Sequence, residues 1–377
     1  MTALNVAVVT ETHPPEVNGV AMTVGQLIDG LRGRGHRVNV VRPRQSSDDR
    51  GSEGDLLLAG LPLPGYAGLR VGLPAGGRLA RAWRMRRPDV VHVVTEGPLG
   101  WSAVTAARRL GIPVTSGFHT NFDRYSVHYG LGWMRPTVAA YLRGLHRRTR
   151  ATLVPTEALA AELAGEGIPG VCVVGRGVDT ALFTPQRRAR ELRESWGMGE
   201  GGLACLYVGR LAPEKNLEVA WRAFDAIRTF RPEARMVWVG DGPSAARLRR
   251  ERHDDCFAGT RTGADLAAHY ASADLFLFGS LTETYGNVVA EAMASGLPVV
   301  AYRSAAAAEL IRDGFSGRTV PPGDETAFLS AALDLARDDG LRREIGIRAR
   351  LDTESRGWPS VVERFEAVLR MAAVSGS

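Results

Sequence analysis

The sequence predicts an α/β protein made of two successive doubly wound domains. Continuous apolar runs of strand length alternate with helical patterns, which is typical of parallel sheets covered by helices on both faces. The chain has 377 residues, and one core usually stops growing at roughly 250–300. Because doubly wound sheets bind ligands at the carboxyl ends of their strands, we expect a cleft where the two sheets face each other.

The first domain begins with a strand over Leu4–Thr10, a loop containing proline and glycine, and a helical pattern that runs to Leu31. A second strand follows over His36–Val41. The alternation continues with strands over Asp89–Val94, Pro113–Phe118, Ala151–Pro155 and Val171–Val174, and with helices near Leu99–Leu110, Pro136–Arg150 and Thr156–Ala164.

The segment Asp179–Gly202 is charged and rich in turn residues, and its lack of periodicity predicts a linker. We therefore expect an N-terminal domain over residues 1–178, a C-terminal domain over 179–355 and a final helical segment over 356–377 that crosses back to the first domain. The second alternation has strands over Leu203–Gly209, Ala234–Val239, Cys256–Ala258, Leu275–Phe278 and Pro298–Tyr302, and helices over Asn216–Phe230, Ser244–Arg252, Ala264–Ser272, Asn287–Ser295 and Trp358–Ala373.

Composition excludes several classes of protein. Three cysteines, far apart and each in an apolar run, predict buried thiols rather than a disulfide scaffold or a thiolate metal site. No apolar stretch approaches the about 20 residues that a membrane span needs. The N-terminus starts a strand without a signal-peptide pattern, so we expect a cytoplasmic protein.

Charge is unevenly distributed along the chain. Residues 1–150 contain 20 arginines and 10 acidic residues, which suits nucleic acid, anionic lipid, an anionic substrate or simply a solvated surface. Within this region, Arg78–Arg87 places Leu79 and Trp83 among five arginines. The segment Trp133–Arg150 likewise combines aromatic and apolar residues with several arginines. Each pattern fits either a helix on the inner face of an anionic membrane or an ordinary helix packed on a sheet. Nucleic acid is the weaker partner, because no basic–aromatic pattern of a known reader is present.

The most informative segment is Ser280–Val300, in which a strand enters a polar loop with Glu283 and Gly286 and a helix begins near Asn287. This helix carries Glu291 among apolar neighbours, where a carboxylate is costly without a polar partner. The partner is either a nearby backbone group or arginine, or a vicinal diol of a ligand. Gly286 permits close approach of a ligand, and the helix N-terminus offers N–H groups to an anion.

The pattern S-x-x-E-x-x-G-x-x-x-x-E-A-x-A-x-G-x-P-V-V in this segment resembles the E-x7-E signature of the retaining family 4 glycosyltransferases. The resemblance covers nearly the whole chain and includes GDP-mannose-dependent and sulfoquinovosyltransferase-like members. It implies the GT-B fold, two facing Rossmann-like domains with a cleft between them. It also implies that Glu283 binds the hydroxyls of the donor sugar, that Glu291 binds the ribose diol, and that Gly286 and Asn287 lie beside the donor. Gly279 replaces a frequent proline of the family, a departure that affects the sugar pocket.

The loop Val208–Asn216 follows a strand and contains Arg210 and Lys215. Loop cations are ordinarily solvated, but two cations across a turn suit a diphosphate whose charge grows as a sugar leaves. The family resemblance implies that both bind the donor diphosphate. Lys215 is the only lysine among the 47 Lys and Arg residues, so a need for positive charge alone does not explain it.

The resemblance implies further contacts outside these two segments. Gly19, in the loop after the first strand, would contact the donor phosphate, although Asn18 and Gly19 also fit a simple helix cap. His119, at a strand end, would lie near the donor sugar, with a structural histidine as the alternative. Arg261 falls in the segment whose backbone would hold the donor base. The candidates on the acceptor side are Asp123, Arg124 and Tyr125.

Absent motifs narrow the chemistry. The sequence contains no Asp-x-Asp pair, so we expect no metal and no other cofactor, with Arg210, Lys215 and helix N-termini in place of a metal–diphosphate clamp. It contains neither G-x-G-x-x-G after the first strand, nor G-x-S-x-G, nor a P-loop lysine. A dehydrogenase, a serine hydrolase and a P-loop enzyme are therefore disfavoured.

The resemblance predicts a retaining enzyme that moves a hexose from GDP-mannose or a UDP-hexose to a hydroxyl of a lipid or glycan. The transfer would be front-face, with the leaving phosphate accepting the proton of the acceptor. The catalytic candidates are His119, Arg210, Lys215 and Glu283. Two alternatives stay open: a GT-B-like sugar-nucleotide epimerase, and a non-catalytic module that binds sugar nucleotides or membranes.

Replacing Lys215 with arginine tests whether the single lysine has a specific task. The compact ammonium can follow a leaving phosphate, whereas the planar guanidinium fork is larger and more rigid. We expect Lys215→Arg to lower the rate of sugar transfer by about tenfold or more although the charge is unchanged. A variant that transfers sugar at the full rate would contradict this role.

Overall fold

The computed structural model describes residues 2–16, 18–46, 48–62, 70–119, 135–199 and 201–374. The chain divides into two compact units. The first unit comprises Met1–Arg176 together with Trp358–Ser377, and the second unit comprises Gly177–Gly357.

The first unit contains a parallel sheet of seven strands in the order β3-β2-β1-β6-β7-β8-β9, and β4 and β5 form a separate antiparallel hairpin. Its strands are β1 (Asn5–Val9), β2 (Arg37–Pro43), β3 (Leu56–Leu58), β4 (Gly60–Pro62), β5 (Arg70–Gly72), β6 (Val90–Val93), β7 (Val114–Gly117), β8 (Ala151–Val154) and β9 (Val171–Val173). Its helices are α1 (Gly19–Gly33), α2 (Gly76–Met85), α3 (Pro98–Arg109), α4 (Arg135–His146), α5 (Glu157–Gly165) and α14 (Trp358–Val374).

The second unit contains a parallel sheet of six strands in the order β12-β11-β10-β13-β14-β15. Its strands are β10 (Ala204–Val208), β11 (Arg235–Val239), β12 (Cys256–Gly259), β13 (Leu275–Phe278), β14 (Val299–Tyr302) and β15 (Arg318–Val320). Its helices are α6 (Arg190–Ser195), α7 (Leu217–Arg228), α8 (Ala245–Glu251), α9 (Gly263–Ser272), α10 (Asn287–Ala294), α11 (Ala305–Leu310), α12 (Glu325–Arg337) and α13 (Asp339–Glu354).

The strands predicted from apolar runs are all present, with bounds within two residues of those expected. The short strands β3, β4, β5 and β15 were not predicted, because three residues are too few to show a period. The prediction of buried thiols is right for Cys205 but wrong for Cys172 and Cys256, which are partly exposed. The latter two lie on β9 and β12, the edge strands of their sheets, where one flank is uncovered.

Alternation along β1 explains why its residues Val6–Val9 are all apolar. Val6 and Val8 pack with α1 and α14 on one face of the first sheet, whereas Ala7 and Val9 pack with α2 and α3 on the other. Because both faces are buried, every position of the strand favours an apolar side chain. The four residues of β13 are buried in the same way in the second unit.

The basic helices of the first unit are ordinary packed helices. Leu79 and Trp83 of α2 are buried in the core at 0% and 4% exposure, so they do not form the membrane-facing side that the pattern allowed. Leu145 of α4 is buried as well, and Met85 is the exposed apolar residue of α2. Among the described residues, no helix combines the length and the apolar character needed to cross a membrane.

The last helix, α14, packs against α1 within the first unit. A Cβ at Gly30 would lie 2.4 Å from a methyl carbon of Val362, so the missing side chain is what allows this close approach. Glu366 forms ion pairs with Arg34 and Arg370. Burial alone would raise the pKa of Glu366, but hydrogen bonds from these arginines and from His36 outweigh it and hold the pKa at about 2.

The linker predicted over Asp179–Gly202 is wrong, because this segment is packed into the second unit. Arg193 is 1% exposed and donates to the backbone oxygens of Ser272 (2.7 Å) and Gly202 (2.7 Å) and to Oδ2 of Asp274 (2.9 Å). Trp196 is buried in the same core. A buried arginine surrounded by acceptors is indistinguishable from a solvated one in the sequence, and this caused the error.

Replacing Arg193 with methionine should destabilise the second unit. The change removes one of the two arginines that pair with Asp274, which keeps Arg188, and leaves several buried carbonyl groups without a donor, so we expect a loss of about 2–4 kcal/mol in the free energy of unfolding. Arg190→Met, on the exposed side of the same helix, should change it by less than about 0.5 kcal/mol. Urea unfolding of both variants measures the difference, and equal stabilities would show that Arg193 is dispensable.

Candidate active site

The carboxyl ends of β10 and β13 form the topological switch point of the second sheet. These strands are neighbours, and the chain runs from β10 outward to β11 and β12 before it returns to β13. The loops that follow the two strands therefore leave toward different helices and open a crevice between them. Arg210 and Lys215 lie in the loop after β10, and Glu283 and Gly286 lie in the loop after β13.

Lys215 and Glu283 form an ion pair across this crevice. The Nζ atom of Lys215 lies 2.5 Å from Oε1 of Glu283, and each side chain is only 13% exposed. Asn216, in the left-handed region at φ +49°, donates from Nδ2 to the backbone oxygen of Gly279 (3.2 Å). The hydroxyl of Thr282 donates to the backbone oxygen of Glu214 (3.0 Å). The two loops are thus joined at three points.

Arg210 forms a second ion pair, which was not predicted from the sequence. Its guanidinium contacts the carboxylate of Glu214, whose side chain is fully buried, while the side chain of Arg210 is 30% exposed. The signal was present in the sequence, since Glu214 follows Arg210 at a spacing of four residues. The crevice therefore holds two cations and two carboxylates rather than the bare cationic loop that was expected.

Gly286 initiates α10 in a conformation that favours glycine. Its φ of +91° lies in the left-handed region, and α10 begins at the next residue, Asn287. A Cβ at this position would lie 3.5 Å from Cγ of Glu283. Backbone strain rather than lack of space thus explains the glycine. Gly286 turns the chain shortly after Glu283, so α10 and its first backbone amides begin close to this carboxylate in the sequence.

Glu291 on α10 has an aromatic hydroxyl as its polar partner. The phenol of Tyr270 donates to Oε2 of Glu291 at 2.9 Å, which is neither the backbone group nor the arginine considered from the sequence. Burial raises the pKa of Glu291 from 4.5 to about 7, against the opposing effect of this hydrogen bond. Close to neutral pH, the carboxylate is therefore poised between its two protonation states.

Arg261 lies apart from the Lys215–Glu283 pair. It follows β12, which β11 separates from β10, and it donates to the backbone oxygen of Ala258 (2.9 Å) and to Asp265 (3.0 Å). Its side chain is thereby held at the edge of the sheet. That the backbone of this segment contacts a donor base stays a prediction.

In the first unit, Gly19 lies at the start of the helix that follows β1, and His119 lies in the loop that follows β7. Gly19 is the first residue of α1, and the preceding Asn18 caps this helix by accepting hydrogen bonds from Val20 (3.1 Å) and Ala21 (2.8 Å). The helix-cap reading of the Asn-Gly pair is therefore right. The acceptor-side candidates Asp123, Arg124 and Tyr125 lie outside the described residues.

His119 is a neutral imidazole held in one tautomer. Its Nδ1 atom contacts Nη2 of Arg176, and because a guanidinium only donates, the proton of the neutral ring is on Nε2. Burial lowers the pKa of His119 well below its ordinary value, and the charge of Arg176 acts in the same direction. The Nε2 atom is buried and has no hydrogen-bond partner among the described residues. It is therefore a donor that a ligand oxygen would satisfy.

Comparisons with known proteins decide the family. A family model described as Glycosyltransferase Family 4 matches residues 17–182, and one described as Glycosyl transferases group 1 matches residues 202–338. A GDP-mannose-dependent alpha-mannosyltransferase of Mycolicibacterium smegmatis is 36% identical over 377 residues, which cover 97% of this chain and 98% of that protein. The chain belongs to glycosyltransferase family 4.

Two further proteins are similar to this glycosyltransferase. An alpha-monoglucosyldiacylglycerol synthase of Streptococcus pneumoniae is 27% identical over 329 residues, which cover 83% of this chain and 74% of that protein. The structure of sucrose-phosphate synthase from Thermosynechococcus elongatus matches with a TM-score of 0.80 at 18% identity, over 99% of this chain and 100% of that chain. At this identity the likeness concerns the fold alone, and it agrees with the GT-B class that the sequence resemblance implied.

Sequence reasoning missed Glu11 of the glycosyltransferase, which lies two residues after the end of β1. The backbone N–H of Gly72 donates to Oε1 of Glu11 at 3.1 Å. Burial raises the pKa of Glu11 to about 7, against this hydrogen bond and with the support of the nearby Glu96 carboxylate. An acidic residue immediately after an apolar strand was the available signal. Within the described residues, no group of three or more His, Cys, Asp or Glu side chains is arranged to hold a metal ion.

The raised pKa of Glu291 gives a stability test that does not depend on substrate. Glu291→Gln keeps an oxygen that accepts from Tyr270 but removes the charge. Ionising Glu291 is harder in the folded than in the unfolded protein, so it lowers the free energy of unfolding. This loss is absent below about pH 4.5, the ordinary pKa, and complete above about pH 7, the pKa in the folded protein. The free energy of unfolding of the variant should therefore exceed that of the parent protein by about 2–3 kcal/mol at pH 8 and by little at pH 5.

Urea unfolding at the two pH values measures this gain. The matched control is Glu344→Gln, which removes an exposed carboxylate of α13 in the same unit and should give the same difference at both pH values. If the gain of Glu291→Gln is also equal at pH 5 and pH 8, Glu291 titrates normally in the folded protein.

Proposed function

We propose that the glycosyltransferase moves mannose from GDP-mannose to a hydroxyl of a lipid acceptor, with retention of configuration and without a metal. The observation that carries this proposal is the Lys215–Glu283 ion pair at the switch point of the second sheet, with Arg210 beside it. The choice of donor is supported by the 36% identity to an enzyme named for GDP-mannose. The lipid acceptor is supported by the likeness to a diacylglycerol glucosyltransferase.

In this proposal, Arg210 and Lys215 bind the donor diphosphate and Glu283 accepts hydrogen bonds from hydroxyls of the mannose. The group that would bind the diphosphate and the group that would bind the sugar are adjacent, because the Lys215 ammonium and the Glu283 carboxylate are 2.5 Å apart. A sugar bound by Glu283 has its phosphate within reach of Lys215. The N-terminus of α10, with Gly286 and Asn287, adds backbone donors next to the same phosphate.

Glu291 is proposed to bind the ribose diol in its ionised form. An ionised carboxylate accepts from both hydroxyls of a vicinal diol, whereas its protonated form has one oxygen that donates instead. The Tyr270 hydrogen bond to Oε2 fixes the orientation of the side chain. Donor affinity should accordingly rise with pH as Glu291 ionises near pH 7.

The transfer itself is proposed to need no nucleophile from the protein. The bond between the anomeric carbon and the phosphate oxygen breaks, and the acceptor oxygen bonds to the same face of the carbon. The acceptor proton passes to the leaving phosphate oxygen. Lys215 and Arg210 stabilise the negative charge that develops on the diphosphate, which is the part of the reaction that a preorganised cation accelerates most.

Lys215→Ala tests the assignment. We expect GDP-mannose binding to weaken by about tenfold and transfer to fall by at least about a hundredfold, because a cation at the developing charge is lost. Addition of a metal chelator should leave the activity of the parent enzyme unchanged. Arg222→Ala is the matched control, since this exposed cation on α7 pairs with Glu325 away from the switch point.

The assay combines radiolabelled GDP-mannose or UDP-glucose with diacylglycerol vesicles, and runs each donor without acceptor in parallel. Product from GDP-mannose that requires the lipid supports the proposal. Isomerised donor in the absence of acceptor would instead identify an epimerase, and donor binding without any turnover would identify a non-catalytic module. Full activity in Lys215→Ala would contradict the proposed site.

A further inference from the structure

A basic cavity lies in the first unit, apart from every residue discussed so far as a donor ligand. It has a volume of about 480 Å³, which is within the range of small-molecule sites. Three arginines contribute to its wall: Arg44 after β2, Arg70 on β5 and Arg78 in the first turn of α2. The remaining lining residues are Ser46, Leu57, Leu58, Ala59 and Gly60.

Among the described residues, none that lines this cavity is acidic. The cavity therefore differs from the surroundings of Arg222 and Arg312, which pair with carboxylates at 2.8 Å and 2.5 Å. Among the described residues, no carboxylate forms an ion pair with Arg44, Arg70 or Arg78. The cavity therefore has three positively charged side chains in its wall that no carboxylate of the described ranges pairs with.

Backbone oxygens orient two of these guanidinium groups. Nη1 of Arg44 donates to the backbone oxygen of Asp49 (2.6 Å), and Nη2 of Arg70 donates to that of Gly60 (2.7 Å). The carboxylate of Asp49 is engaged elsewhere, because it binds Arg42 through both oxygens at 2.5 Å and 2.8 Å. The arginine side chains are thus positioned without loss of their charge.

Arg70 also has an unsatisfied donor. Its Nε atom is buried and has no hydrogen-bond partner among the described residues. A buried guanidinium N–H without an acceptor is costly, and a bound oxyanion would remove this cost. Arginine is well suited to such a ligand, because its planar fork can donate two parallel hydrogen bonds to phosphate, sulfate or carboxylate.

We propose that Arg44, Arg70 and Arg78 form a binding site for an oxyanion carried by the sugar acceptor. A phosphate group is the best fit, since it offers enough oxygens for three guanidinium donors. The apolar wall formed by Leu57 and Leu58 suits the carbon skeleton to which the phosphate is attached. That the oxyanion belongs to the acceptor depends on the function proposed above, whereas the binding site itself does not.

Calorimetric titration with glycerol phosphate, in the presence of saturating GDP, measures the site without any turnover. Arg70→Gln and Arg78→Gln should each weaken binding by about tenfold, because each removes a charged hydrogen-bond donor. Arg81→Gln is the matched control: it lies on the same helix, is exposed, and removes the same charge outside the cavity. The GDP-mannose affinity and melting temperature of all three variants should equal those of the parent protein.

The source of the phosphate is distinguished by co-sedimentation with vesicles of phosphatidylcholine, with and without phosphatidylglycerol. If a lipid headgroup occupies the cavity, Arg70→Gln and Arg78→Gln reduce binding to the anionic vesicles and Arg81→Gln does not. If a soluble phosphate ester occupies it, only the glycerol phosphate titration separates the variants. Both outcomes support the oxyanion site.

Equal glycerol phosphate affinities in Arg70→Gln, Arg78→Gln and Arg81→Gln would overturn the site and reduce the three arginines to general surface charge. The experiments distinguish a wrong assignment of the oxyanion site from a wrong assignment of the proposed function. A protein that binds glycerol phosphate in this cavity but not GDP-mannose would contradict the donor assignment alone. If the protein binds GDP-mannose but the three variants bind glycerol phosphate with equal affinity, the result would contradict the cavity site alone.

Discussion

The ion pair between Lys215 and Glu283 is the interaction on which the site in the second unit depends. Both side chains are only 13% exposed, so neither charge is fully hydrated and each needs the other. The pair connects two loops that diverge from neighbouring strands, and it fixes the point at which a ligand meets both.

The crevice around this pair is balanced in charge rather than strongly positive. Arg210 is paired with Glu214 and Lys215 with Glu283, so two cations are held in place before any ligand arrives. Such preorganisation lowers the cost of orienting the cations during the reaction. Its consequence is that an anionic ligand competes with the carboxylates for the same donors. Binding of a sugar to Glu283 and of a phosphate to Lys215 would relieve that competition on both sides at once.

The fold was largely predictable because its information is local. Apolar runs such as Leu275–Phe278 mark buried parallel strands, and a glycine followed by a helical pattern marks the turn at Gly286. The Lys215–Glu283 and Tyr270–Glu291 pairs were not predictable from local spacing, because 68 and 21 residues separate their members. Arg193 shows the same limit, because two of its acceptors, Ser272 and Asp274, are 79 and 81 residues away along the chain, and a buried network was mistaken for a linker.

The most direct test of this account is the affinity for GDP after Glu283→Gln. Removing the carboxylate takes one anionic partner from the Lys215 ammonium and so increases its attraction for the diphosphate, while the uncharged amide still fits the site. The account predicts that calorimetry gives tighter GDP binding than in the parent protein, by about threefold to tenfold, together with slower sugar transfer. Weaker or unchanged GDP binding in this variant would contradict the claim that Lys215 and Glu283 share one donor site.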